Sequence, residues 1–171
     1  MKLCMIANTL HQLCDHDDML FLSMISTGFA GLLRLGEMAV SDSPNWQDSR
    51  KVTLRMSFTW VGTEYEFLLP AHKFNTTFEG NRVHIAHIIN APDPHPIMAR
   101  YALSHDCLFP LHPQLWLRSN GSMPTCSWFL GPLSSFCPPK IAGQSMRASG
   151  ATALAEAGAA GDLIQGWSLV L

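Results

Sequence analysis

No apolar run in this sequence reaches the length of a membrane span. The longest, over residues 19–33, contains Ser23, Ser26, Thr27, Gly28 and Gly31 and stops at Arg34; a span needs roughly 18 to 20 residues. It reads as a central buried helix. A signal peptide is not expected either, because Asn8, His11 and Gln12 break the N-terminal apolar stretch and no cationic segment precedes it. The five cysteines, Cys4, Cys14, Cys107, Cys126 and Cys137, are odd in number and include no Cys-x-x-Cys pair. That spacing disfavours both a disulfide framework and a zinc ribbon, and leaves reduced, mostly buried thiols as the expectation. Charge is scarce as well. Only 14% of residues are charged, against about a quarter in a typical soluble domain. The net charge of −2 gives no global basic field for a polyanion, so contact with nucleic acid would need a local patch.

What is present is enough apolar material for a core: 47% of 171 residues, with a mean hydropathy of +0.12. A single domain over 1–171 is expected, with part of its surface covered. Leu3, Ile6, Leu10 and Leu13 recur at helical spacing, and residues 15–18 supply a turn and the acidic first turn of a second helix. The polar stretch 41–49 is turn chemistry. From Val52 the period changes to two, with Val52, Leu54, Met56, Phe58 and Trp60 alternating with polar residues, which predicts a strand. Gly62, Thr63 and Glu64 predict a hairpin into a second strand over 65–69, and a third strand is predicted over 82–88. Helices are predicted over about 96–104, from Thr125 or Ser127 towards Phe136 with Pro132 ending or bending it, and over the small-residue segment 145–158. Gly161 and Asp162 begin a last short helix. The fold class is therefore α+β, mainly helical with a small three-stranded antiparallel sheet.

Arg34 and Glu37 sit three apart in FAGLLRLGEMAV. A guanidinium in apolar surroundings needs a partner, and the plain reading is a structural ion pair on one helical face. Arg147 opens the small-residue helix, with Gln144 three positions before it, and Lys73 lies in the loop between two predicted strands. Two guanidiniums can give paired hydrogen bonds to one phosphate, and a lysine beside them can protonate an alkoxide leaving group.

Arg-x-x-Glu in a helical segment, a three-stranded sheet with Lys in its second connection, x-x-x-Arg before an Ala/Gly-rich helix and a Gly-Trp-Ser element together set the order. This order resembles the catalytic domain of tyrosine recombinases and integrases, phage-integrase-like and most like the degenerate recombinase-like domains of fungal genomes. The resemblance implies that Arg34 and Arg147 hold the phosphate, Lys73 protonates the leaving 5′-oxygen, Glu37 orients Arg34, and Gln144 and Trp167 add hydrogen bonds. Gln144 stands where the family has histidine; an amide can hydrogen-bond a phosphate but cannot exchange a proton as imidazole can. The spacing before Trp167, in DLIQGWS, is shortened.

The family's nucleophilic tyrosine, which forms a 3′-phosphotyrosyl bond, has no counterpart, because Tyr65 and Tyr101 both precede the second arginine. The expectation is a C-terminally truncated recombinase-like domain that binds double-stranded DNA, inactive alone, with a homo-oligomer on DNA and an intracellular, nuclear location. The alternative is a decayed DNA-binding or helical interaction module. Neither cofactor nor metal is expected: a strand spacing of three puts His84 and His87 on opposite faces. Trp116 and Trp128 read as buried anchors rather than base-stacking platforms. Arg50, Lys51, Arg55 and Arg82 read as solvated strand ends unless they flank Arg34 and Arg147.

Overall fold

A computed structural model describes residues 15–70, 80–89, 91–136 and 144–158. The fold is α+β, with helices α1 (His16–Ala30), α2 (Pro94–Leu108), α3 (Cys126–Phe136) and α4 (Gln144–Glu156) around a sheet of β1 (Thr59–Val61), β2 (Glu64–Leu69) and β3 (Asn81–Ile85). The first predicted helix and the last short one lie outside the described residues.

Helix α1 starts where the acidic turn predicts. The Asp15 carboxylate accepts from the Asp17 N–H, and Asp17 and Asp18 complement the positive end of the helix dipole. Most of α1 is buried, polar residues included, so the core surrounds it. Each buried polar side chain on it finds a partner, as burial demands. In the neutral ring, His16 Nε2–H donates to the Leu117 carbonyl and Nδ1 accepts from Ser104, both at 2.9 Å. Thr27 Oγ1 meets the Tyr65 hydroxyl at 2.7 Å, and the Ser26 hydroxyl donates to the Leu22 carbonyl at 2.7 Å.

The sheet is antiparallel throughout, in the order β1-β2-β3, with Val61 opposite Glu64 and Phe67 opposite Val83. A two-residue turn at Gly62 and Thr63 joins β1 to β2, with Gly62 at φ 62°, the left-handed region that glycine enters without penalty. Tyr65, Phe67 and Leu69 face the core, while the other face of β2 carries Glu64 and Glu66, paired with His84 and Arg82 across the sheet.

The alternating segment 52–60 is a strand only from Thr59. Residues Arg55–Ser57 form a single 3-10 turn, and Met56 is 85% exposed, so the alternate apolar residues do not share one buried face. The backbone instead bonds the loop after α2: the Arg55 N–H donates to the Pro113 carbonyl at 2.7 Å and the Leu115 N–H to the Thr53 carbonyl at 2.9 Å. Helix α2 is longer at both ends than the segment 96–104, because Asp93 caps it and Pro94 occupies its first turn, where the missing N–H costs nothing. Helix α3 runs through Pro132 to Phe136, with Thr125 Oγ1 accepting from the Trp128 N–H near its start. The thiols depart from expectation: Cys107 is exposed and Cys126 half-buried, and both are free. Trp116 is a buried anchor, stacked on Tyr101 and edge-on to Phe67, whereas Trp128 is only half-buried beneath the Arg118 guanidinium.

Helix α4 packs on the C-terminal end of α1. A Cβ on Gly150 would stand 2.1 Å from the Phe29 carbonyl oxygen and 2.8 Å from Leu32 Cδ2, so the close approach requires glycine there. Gly150→Ala is expected to destabilise the protein by about 1–3 kcal/mol. Gly131→Ala on α3, where nothing lies within 4 Å, should be neutral or stabilising by up to about 1 kcal/mol. Urea denaturation of the two variants checks the pair.

Burial pushes the His105 imidazole below its ordinary pKa, against the Gln114 carbonyl and Asp106 carboxylate, which pull it up, while Arg55 adds to the depression. A depressed folded pKa means that stability is complete above the unfolded value of about 6.5 and falls as acid protonates the unfolded state first. The urea midpoint should therefore drop as pH falls below about 6.5. His105→Gln, which keeps an N–H donor for Gln114, should flatten that dependence.

Candidate functional site

The end of α1 sets the direction of Arg34. Gly31 caps the helix, with its N–H on the Thr27 carbonyl at 2.8 Å, and Leu32 then adopts φ 54°, a left-handed conformation that a branched side chain enters only under constraint. The Leu33 N–H returns to the Gly28 carbonyl at 2.9 Å, the six-to-one bond of a Schellman ending. Leu32 itself is completely buried, so packing holds the strained backbone. The chain leaves the helix extended at Arg34 and makes one 3-10 turn, Leu35–Glu37. Arg34 and Glu37 are thus not on one helical face, because the reversal at Leu32 ends the helix before them.

They pair nevertheless. The Glu37 carboxylate accepts from the Arg34 backbone N–H at 2.6 Å and from the Arg34 guanidinium at 3.3 Å. The Glu37 side chain is 8% exposed and that of Arg34 is 42% exposed, so the carboxylate is fixed and the guanidinium presents part of itself to solvent. Arg147 arrives from the first turns of α4. Its neighbour Met146 packs on Gly28 beside Met38, since a Cβ on Gly28 would lie 2.7 Å from Met38 Cε and 3.2 Å from Met146 Sδ. Burial, first, and the Arg34 charge, second, both depress the Arg147 guanidinium, and Glu37 acts in the opposite sense. Arg34, Glu37 and Arg147 therefore occupy one corner, with two cations and one carboxylate within electrostatic reach. Both guanidiniums stay protonated at any ordinary pH.

Gln144 lies at the start of α4, while Lys73 and Trp167 lie outside the described residues. Among the described residues no group of three or more His, Cys, Asp or Glu side chains is arranged to hold a metal ion.

Both tyrosines are core residues. Tyr65 shares a hydrogen bond with Thr27, and the Tyr101 hydroxyl donates to the Leu115 carbonyl at 2.8 Å while accepting from the Leu117 N–H at 2.9 Å. Burial pushes both phenols above their ordinary range, so the phenolate, the form that attacks phosphorus, is suppressed.

The cations near the sheet behave differently from the solvated strand ends that the sequence implies. Arg50 and Arg55 sit in 3-10 turns, and Arg50 pairs with Asp48, Arg55 with Asp106 and Arg82 with Glu66. Two of these carboxylates lie 51 and 16 residues away in sequence, beyond the reach of local pattern. Among these four cations only Lys51 has no ion pair among the described residues.

No protein-family model matches the chain, and no curated protein matches it. A test of the tyrosines follows from their burial. A duplex nicked beside a reactive phosphate should give no covalent protein–DNA band with this 171-residue chain on a denaturing gel, and Tyr65→Phe or Tyr101→Phe should leave that result unchanged. A band abolished by either substitution would show an attacking tyrosine.

Proposed function

We propose that this protein binds the phosphate backbone of double-stranded DNA through the corner formed by Arg34 and Arg147, and that the sequence as it stands does not cut the strand. The observation that supports the reading is that guanidiniums from two separate elements lie within electrostatic reach of each other and of the Glu37 carboxylate, which bonds Arg34. Two such forks suit a tetrahedral anion, and the paired state of Arg50, Arg55 and Arg82 makes the affinity local rather than global. The resemblance to the catalytic domain of tyrosine recombinases supplies the partner and the roles. Arg34 and Arg147 cradle the phosphate, Glu37 holds Arg34 in position, Gln144 and Trp167 donate further hydrogen bonds, and Lys73 stands beside the leaving oxygen. In that reading the chain works in DNA recombination or integration, in the nucleus, on DNA that assembles further copies, and depends on a tyrosine supplied elsewhere.

One observation favours a second reading, in which the corner is a structural lock: the Glu37 carboxylate is nearly buried and already spends two bonds on Arg34. The two readings part in solution. Fluorescence anisotropy of a labelled duplex should give a binding constant that falls with salt. Replacing both arginines with Ala should reduce the log–log salt slope by about 0.9, the step for the one phosphate that the pair no longer neutralises. An unchanged slope together with a lowered urea midpoint would assign the corner to stability alone.

A further inference from the structure

Helices α1 and α2 run antiparallel, with His16 bonded to Ser104 at one end of their seam and the Ser23 hydroxyl donating to the Ile97 carbonyl further along it. On the solvent side of that seam an open groove of about 200 Å³ is lined by Met19 and Leu22 of α1 and by Pro92, Pro96, Ile97 and Arg100 at the start of α2. Its walls are mostly apolar.

The outer face of α2 continues the groove. Pro96, Arg100, Leu103 and Cys107 are all exposed and follow one another at spacings of four, three and four, so they form one stripe along the helix. Leu103 is 69% exposed, Leu108 is 53% exposed, and Leu111, in the turn after the helix, is 93% exposed. Apolar surface gathered in this way marks an interaction face.

The stripe itself identifies what covers it. Its spacing reads the same from either end, about a midpoint between Arg100 and Leu103. A second copy laid antiparallel across it therefore sets Arg100 beside the partner's Leu103 and Pro96 beside the partner's Cys107. Counting outward from the same midpoint sets Leu108 level with the partner's His95 and Leu111 level with the partner's Pro92. A two-fold axis that crosses the helices also keeps the α1 side of one copy against the α1 side of the other. Leu108 is on that side, one turn beyond the Ser104 that bonds His16. The exposed leucines at the end of α2 thus meet the open groove at the start of the partner's α2. Charge agrees with this register. Arg100 has no ion pair among the described residues, and the pairing brings it within one turn of the partner's Asp106, whose side chain is 52% exposed. A carboxylate that already accepts from Arg55 keeps lone pairs for a second guanidinium.

We infer that this face is a dimer interface, in which two copies of the chain pair antiparallel along α2 and each fills the groove of the other with Leu108 and Leu111. The concave and the convex parts lie on one face at matching distances from its midpoint, which is the self-complementarity that a two-fold contact requires. Arg34, Glu37 and Arg147 take no part, so the dimer forms without DNA and does not rest on the DNA reading.

The experiment is sedimentation equilibrium of the DNA-free protein from about 1 to 300 μM. A face one helix long, about 22 Å, is small for a stable interface. The mass should therefore rise with concentration from 18.9 kDa towards twice that, with a dissociation constant on the order of tens of micromolar. Leu103→Glu and Leu111→Asp, both at exposed positions, should raise that constant at least tenfold while leaving the urea midpoint unchanged. Arg100→Glu, which sets two carboxylates together, should weaken the dimer more at low salt than at high salt.

A cross-link tests the register. Two Cys107 thiols of such a dimer stand about 16 Å apart along the helices, eleven residues at 1.5 Å each, too far for a disulfide. Pro96→Cys places a thiol beside the partner's Cys107, so mild oxidation should give a covalent dimer that Cys107→Ser abolishes. A chain that stays monomeric throughout the concentration range would overturn the inference and assign the face to a different occupant. A dimer that Leu103→Glu leaves intact, or a Pro96→Cys protein without a Cys107-dependent cross-link, would overturn it as well.

Discussion

Burial of α1 on nearly all sides is the constraint on which the rest of the structure depends. A helix placed there must leave no hydrogen-bonding side chain without a partner, and the neighbours of α1 are fixed by that requirement as much as by apolar contact. His16 needs an acceptor on the loop after α2 and finds the Leu117 carbonyl; Thr27 needs a hydroxyl from the sheet and finds Tyr65. Tyr101 then fastens the same loop from α2 by accepting and donating at once. Apolar surface drives the assembly, while these few directional bonds decide which loop lies where.

The guanidinium corner is a consequence of how α1 ends. Small residues at Gly28 and Gly150 let α4 approach the last turn of α1 to backbone contact, and the left-handed Leu32 turns the chain out beside that helix rather than away from it. Arg34 and Arg147 are thereby brought together by backbone packing. The Arg34 charge and the Glu37 carboxylate act on Arg147 in opposite senses, and Glu37 is bonded twice to Arg34.

Much of this was legible in the sequence, and the divide follows the range of the forces involved. The acidic turn at Asp15, the Gly62 hairpin and the β2 alternation are local patterns, and the structure follows them. The alternation from Val52 to Trp60 is equally regular, yet only its last part is a strand, because Thr53 and Arg55 bond a loop some sixty residues further on. Periodicity records which side chains are apolar; it does not record which backbone will be available to pair. Of the candidate site, Arg34, Glu37 and Arg147 were visible as charged residues in apolar or small-residue surroundings, but their meeting depends on Leu32 and Gly150, which carry no chemical signal. The ion pairs of Arg55 and Arg82 exist only through long-range packing, and no local pattern could have found them.

The fate of the two tyrosines links the fold to the limits of its chemistry. A phenol is useful as a nucleophile where it can reach solvent and ionise, and useful as a core residue where it does neither. Here Tyr65 and Tyr101 are both fully enclosed and both hold other elements in place, so the same burial that stabilises α1 removes them from reaction. Exposing either one would break a bond on which the position of α1 depends. The site and the core therefore draw on separate residues: arginines at the end of the helix, where charge can face water, and tyrosines along its length, where it cannot. Strand cleavage at Arg34 and Arg147 would require an attacking group that the core does not already use.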